Sequence, residues 1–134
     1  MTRAAAAAAL ALFAAGCGPT AADSPVASGR WTGTGIVLDV TAQGASIEYG
    51  CAHGTIDQPM VADRDGRFSV TGIHVREHGG PIRVDEPADR HPARYDGVLA
   101  GASMRLIVTM TDLSQSVGAF DLTFGGSGLI AKCL

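Results

Sequence analysis

The chain has 134 residues, with 10 Lys plus Arg against 13 Asp plus Glu and a formal net charge of −3. Lys132 is its single lysine and the arginines are scattered, so no basic field exists to meet a nucleic-acid backbone. The length suits one domain with a modest core.

The N-terminus places Arg3 ahead of an unbroken apolar run, Ala4 to Ala15, and the small residues Ala14-Ala15-Gly16 lead into Cys17. A positive start, a short apolar stretch and a small-residue end are the layout of a secretory signal. The run falls short of the ~20 apolar residues that a transmembrane helix needs. Ala14-Ala15-Gly16-Cys17 resembles the lipobox of bacterial lipoproteins. That resemblance implies cleavage after residue 16, a diacylglycerol on the Cys17 thiol, and export to the periplasmic or cell-surface face of a membrane. Residues 17–29 are then the lipidated cysteine and a Gly-, Pro-, Ala- and Ser-rich tether, and residues 30–134 are the folded domain.

The chain holds three cysteines. With Cys17 acylated, Cys51 and Cys133 remain, and an oxidising compartment predicts that they pair. The bridge would pin a C-terminal strand, "GLIAKCL", to an early one. The alternative for the same residues is a metal site of Cys51, His53 and Cys133, which lacks standard zinc spacing.

From Arg30 onward the pattern is strand, turn, strand. "TGTGIVLDVT" puts Thr32, Thr34, Ile36, Leu38 and Val40 on one side of a strand. Residues 45–51 put Ala45, Ile47, Tyr49 and Cys51 on one face. Residues 67–76 begin with Phe68 and Val70 inward and then shift to Ile73 and Val75, which predicts a bulge at Gly72. A short strand over 94–100 centres on Tyr95, Gly97 and Leu99. Residues 103–111 turn Met104, Leu106, Val108 and Met110 inward, and 117–124 do so with Phe120, Leu122 and Phe124. Turn chemistry separates these segments: "AQG", "DRDG", "LAG", "DLSQS" and "GGSG". Period-2 alternation over many short segments predicts an all-β fold, a small antiparallel up-and-down β-barrel or sandwich of seven or eight strands with one disulfide.

One longer connection, Glu77 to Pro92, is rich in Pro, Gly and charge, with Ile82-Arg83-Val84 as a short strand inside it. Loops carry function more often than strands, so His78, Arg83, Asp85, Glu86, Arg90 and His91 form the candidate binding loop. Asp85, Glu86 and Asp89 have the residue types for general acid–base work, with Arg83 and Arg90 placed to neutralise them. His74 and His78 lie too far apart along a strand to share an ion. "DRDG" lacks the later ligands of a calcium loop and reads as a turn. No serine sits in a nucleophile-elbow context and no glycine motif cradles phosphate. The expectation is a non-catalytic binding module with no catalytic residue, metal or cofactor.

Two family resemblances add detail. Gly29-Arg30-Trp31 is similar to the opening G-x-W of lipocalin-like and avidin-like barrels. It implies a tryptophan plugging one barrel end beneath a basic side chain, Arg105 or Lys132 here, and an interior pocket for a small apolar ligand. The Ile, Leu, Val, Met and Phe of the inward set suggest instead a barrel filled by side chains. Tyr49-Gly50-Cys51, Ala93-Arg94-Tyr95 and Cys133 are similar to lipoprotein inhibitors of c-type lysozyme, and more distantly to small barrel inhibitors of metalloproteases. His91-Pro92 stand where the lysozyme inhibitors carry Ser-Gly. That resemblance implies a disulfide-bonded envelope barrel that binds a hydrolase, and Tyr49 and Tyr95 read equally as core aromatics. A purely structural envelope role needs neither resemblance.

Overall fold

Segments that alternate apolar and polar residues bury one face each, and closing them into a ring covers all those faces at once while leaving no sheet edge. A computed structural model describes residues 22–134. Among them are ten strands and no helix: β1 (Ser24–Pro25), β2 (Gly29–Gly33), β3 (Ile36–Val40), β4 (Ala45–Tyr49), β5 (Ala52–Ile56), β6 (Val61–Ala62), β7 (Arg67–Arg76), β8 (Asp89–Ala100), β9 (Ser103–Met110) and β10 (Gln115–Phe124). Eight strands form a closed antiparallel barrel in the order β2-β3-β4-β5-β7-β8-β9-β10, with β10 returning to β2. β1 and β6 make a separate two-stranded pair. Residues 1–16, expected to be a signal peptide, and Cys17, expected to carry a lipid, lie outside the described residues. The stretch assigned to a tether enters the domain at Ser24, and Val26 is buried in the core.

The interior is filled by Ile36, Leu38, Ile47, Tyr95, Leu106 and Val108, all fully buried. Outward positions carry cross-strand ion pairs: Arg30 with Asp39 at 2.9 Å and Arg105 with Asp121 at 2.9 Å. Charge outside and hydrocarbon inside is the reverse of a transmembrane barrel's wall.

Several predicted elements are redrawn. "TGTGIVLDVT" is a hairpin, β2 to β3, turning at Thr34-Gly35 with Gly35 at φ 72°. Trp31 and not Thr32 therefore faces inward opposite Leu38. No bulge interrupts β7: its ladder with β8 runs unbroken from Arg67↔Val98 to Arg76↔Asp89. Its inward face continues through Gly72 to His74, which is buried. Gly72 is a socket, since a Cβ there would sit 3.1 Å from the Tyr95 ring. Gly54, on the previously unread strand β5, is a second socket, with a Cβ 2.5 Å from Tyr95 Oη. Between them the Tyr95 ring lies inside the barrel, and its hydroxyl donates to Ile73 O at 2.8 Å. Gly97 makes the same kind of room for Phe68, its direct cross-strand partner. The short strand over 94–100 is the second half of the twelve-residue β8. Pro92 is tolerated there because its carbonyl, accepting from Thr111 N, faces the side where pairing with β9 has ended.

Residues 125–134 form no strand. "GGSG" leads instead into an irregular strap along the outer wall. Gly126 and Gly128 lie against Thr32, and Val37, though outward-facing, is buried beneath the strap. The strap ends at the Cys51–Cys133 disulfide, whose Cα atoms are 5.3 Å apart across 82 positions. Cys51 lies in the turn between β4 and β5, two residues past Tyr49, where the strand expected to contain it ends.

The two barrel ends differ. One, the tryptophan end, gathers Trp31, Phe124 and the β1–β6 pair. The other, the loop end, gathers the turns at Thr34-Gly35 and Gly50-Cys51, the loop 77–88 and the turn 111–114.

Candidate functional site

All four histidines stand at the loop end. His53, His74 and His91 lie on β5, β7 and β8, and the register makes them neighbours, with Gly54 opposite His74 and His74 opposite His91. His78 begins the loop between β7 and β8.

His74 points inward. Its ring stands edge-on to Tyr49 with centroids 5.3 Å apart, and Tyr49 also meets Phe120 at 5.6 Å. His74 Nδ1 and Tyr49 Oη are buried without a hydrogen-bond partner among the described residues. Burial, then the nearby His91, holds the imidazole below its ordinary pKa. Burial likewise drives the Tyr49 phenol strongly upward.

His91 lies between two carboxylates. Its Nδ1 is 2.8 Å from Asp112 Oδ2 in the 111–114 turn, and its Nε2 is 2.8 Å from Asp89 Oδ1 at the start of β8. Nε2 also lies 3.0 Å from Arg76 Nη2, a donor, so the ring donates to both carboxylates as imidazolium and, when neutral with its proton on Nδ1, donates to Asp112 and accepts from Arg76. The hydrogen bond to Asp112 is the chief cause of its raised pKa, and that to Asp89 adds to it. Arg76 donates through Nε to the other oxygen of Asp89 at 2.9 Å.

His78 repeats the arrangement on the loop. Nδ1 is 2.9 Å from Gly79 O and Nε2 is 2.6 Å from Glu86 Oε1, and these acceptors raise its pKa. His53 Nδ1 meets Glu77 Oε1 at 2.9 Å, at the loop's first residue. The other oxygen of Glu77 accepts from Lys132 Nζ at 2.8 Å, the main reason its carboxyl sits below the usual range. Lys132 also reaches Glu48 at 2.7 Å and the carbonyls of Tyr49 and Ala52. The single lysine thereby ties the strap, the β4–β5 turn and the loop together. Cys133 N adds a hydrogen bond to Gly50 O at 2.9 Å.

The predicted loop residues divide. His78, Arg83, Asp85 and Glu86 lie on the loop proper, which closes at Ala88, whereas Arg90 and His91 belong to β8. Ile82-Arg83-Val84 is not a strand. Arg83 pairs with Asp85 at 3.7 Å, fully in solvent. Glu86 and Asp89 take histidines and Arg76 as partners in place of the expected Arg90. Between the loop and the outer face of β5 and β7 lies a groove of about 230 Å³, lined by His53 and Val75 from the strands and by His78, Ile82, Pro87 and Ala88 from the loop. Ile82, Val84 and Leu134 are largely or fully exposed around it.

The disulfide removes both thiols from the Cys51, His53, Cys133 metal reading. Among the described residues no three His, Cys, Asp or Glu side chains converge as a metal site requires. Asp63 of "DRDG" spends its carboxylate on the turn itself, accepting from Asp65 N and Arg67 N. The basic side chains expected above Trp31 are engaged elsewhere, Arg105 with Asp121 and Lys132 at the loop end. Of Ala93-Arg94-Tyr95, the segment likened to lysozyme inhibitors, Arg94 points outward to Asp96 and Tyr95 lies in the core. The sequence reading missed Arg76, Glu77, Asp112 and Lys132 as members of one site. Their partners lie 13 or more positions away, and no local signal links them.

The chain matches no protein-family model, no curated protein and no solved structure.

Proposed function

We propose that this chain is a non-catalytic binding module of the bacterial cell envelope, exported, anchored by lipid at Cys17, and presenting its loop end to a partner protein. The observation that carries the reading is the contrast within that end. Ile82 and Val84 stand in solvent on a loop whose two ends are fastened by ion pairs and a disulfide-held strap. Apolar side chains on a rigid frame are what a protein interface uses as anchors. The chain enters the barrel at the tryptophan end, so a tether from Cys17 leaves the loop end facing away from the membrane. Each carboxylate expected to serve as acid or base is engaged by Arg or His, which supports recognition over catalysis.

Inhibition of an envelope hydrolase is the form of binding suggested by the Tyr49-Gly50-Cys51 and Cys133 resemblance. A carrier of small apolar ligands is the less favoured alternative, because the barrel interior is occupied by side chains.

Site-specific photo-crosslinking in the native envelope tests the reading. A crosslinker at Ile82 or Val84 is expected to capture one protein, and the same probe at Gln43, at the opposite end, to capture none. Equal capture at both ends, or none at either, overturns it. The intact mass of the protein from membranes tests the anchor: residues 1–16 are expected to be absent and Cys17 to carry a diacylglycerol.

A further inference from the structure

The loop 77–88 carries its most exposed side chains at one point. Ile82 is 74% exposed and Val84 fully so, and the Arg83 side chain between them is 81% exposed. Arg30, Arg76, Arg94 and Arg105 meet carboxylates at 2.8–2.9 Å, whereas Arg83 has only Asp85, at 3.7 Å and itself in solvent. So loose a pair leaves the charge of Arg83 free to be taken by a partner.

The tip is nonetheless a fixed shape. Glu86 N donates to Arg83 O at 3.1 Å and closes a turn over Val84 and Asp85. The Glu86 carboxylate accepts from Arg83 N at 3.4 Å through one oxygen and holds His78 at 2.6 Å through the other. Pro81 and Pro87 fix φ on either side. The roots are tied to the barrel: Glu77 N donates to Cys51 O at 2.9 Å, Glu77 meets Lys132, and Asp89 meets Arg76. Gly79 lies so close to Leu134 O that a Cβ would have no room. A side chain presented from a framed turn gives up little freedom on binding.

We propose that Arg83 is inserted into the specificity pocket of an arginine-cutting endopeptidase, a narrow pocket with apolar walls and a carboxylate at its floor, and that the tip blocks this enzyme without being consumed. The inference rests on the reading of the loop end as a protein-binding surface, and names the partner. A carboxylate at the pocket floor is what selects a basic residue in such enzymes. The guanidinium meets it with paired N–H donors, and Ile82 and Val84 lie against the apolar rim.

Hydrolysis of the Arg83–Val84 bond would consume one water and leave a carboxylate on Arg83 and an amine on Val84. Three contacts cross that bond: Glu86 N to Arg83 O, Arg83 N to the Glu86 carboxylate, and Glu86 to His78. They hold the two new ends side by side, so the amine stays placed to re-form the bond instead of diffusing out. The tip therefore competes with substrates and is not spent as one.

Inhibition of trypsin tests this, with the intact chain as inhibitor and a small arginine amide as substrate. Inhibition should be competitive, and chymotrypsin, whose pocket is an apolar slot, should be unaffected. Arg83→Ala should weaken the inhibition at least about 30-fold, as truncation of a binding hot spot does. Arg83→Leu should stop inhibition of trypsin and confer inhibition of chymotrypsin. Both variants should keep the fold, since the Arg83 side chain lies in solvent. Mass spectrometry of the inhibited mixture should find the Arg83–Val84 bond largely intact. Absence of trypsin inhibition overturns the proposal. So does inhibition that does not follow the side chain at position 83 through these variants, or rapid cleavage at Arg83–Val84 with loss of inhibition. In each case, capture of a protein from Ile82 or Val84 in the envelope would leave the binding reading standing, and only the identity of the partner would fall.

Discussion

The tryptophan end and the loop end close the same barrel by different chemistry. At the tryptophan end Trp31 is buried, packs edge-on to Phe124 with centroids 5.0 Å apart, and donates its indole N–H to Ala27 O at 3.1 Å. Val26, Met60 and Ala62 complete an apolar plug, joined by the hydrogen bond from Val26 N to Met60 O. At the loop end the closure is a disulfide, one lysine and four histidine–carboxylate pairs around a buried His74 whose Nδ1 has no partner among the described residues. An apolar plug keeps its strength across pH and redox conditions, because none of its groups titrates or exchanges. The loop end is conditional on both. A binding surface is drawn from the part of a fold that can loosen locally without global unfolding, and here that part is confined to one end.

The largest test of this contrast is Trp31→Ala. Removing the plug should cost about 3–5 kcal/mol by urea denaturation, as for other buried large aromatics, and the cost should be the same at acidic and neutral pH. A loss that varied strongly with pH would mean that the two ends are not independent. Next comes Cys51→Ser with Cys133→Ser, or reduction of the wild type. Either should lower stability by about 4 kcal/mol on the chain-entropy argument for so long a loop, and reduction should leave Trp31 fluorescence near native before global unfolding. An unchanged denaturation midpoint would remove the strap from the list of fasteners.

A smaller effect with a clear sign is expected for His74→Leu. The folded pKa of His74 is depressed, so below 6.5 the unfolded chain takes up a proton that the native chain refuses. Wild-type stability therefore falls as pH drops from 6.5 towards the folded value, and is fully present above 6.5. The leucine variant should lose that slope and gain about 1 kcal/mol in acid, since it also removes a buried nitrogen that has no partner among the described residues. His78 and His91 act in the opposite sense, losing their contribution as the pH rises. Retention of the full acid slope in His74→Leu would show that another group carries it. The smallest effect is expected for Lys132→Met, under about 1 kcal/mol for ion pairs this exposed. Its sharper readout is structural: cross-peaks between the strap and the β4–β5 turn should weaken while those between Trp31 and Phe124 persist.

Period-2 alternation in 103–111 and 45–49 determined by itself that the chain is all-β, and which residues of those strands face inward, because alternation is a local consequence of the pleat. Reserving Cys17 for a lipid left Cys51 and Cys133 as the expected pair, and they are bridged. Where an inward position holds glycine the local signal vanishes. Gly54 hid β5, and Gly72 imitated a bulge, because their role is to make room for Tyr95, a ring from a strand far along the chain. The loop end was legible only as a charged segment. That His74 stands opposite His91, that His91 reaches Asp112, and that a strap rather than a strand brings Lys132 to Glu77 are matters of register and closure. Only the tertiary structure decides these, since each contact depends on how every intervening strand is paired, and no window of sequence contains that sum.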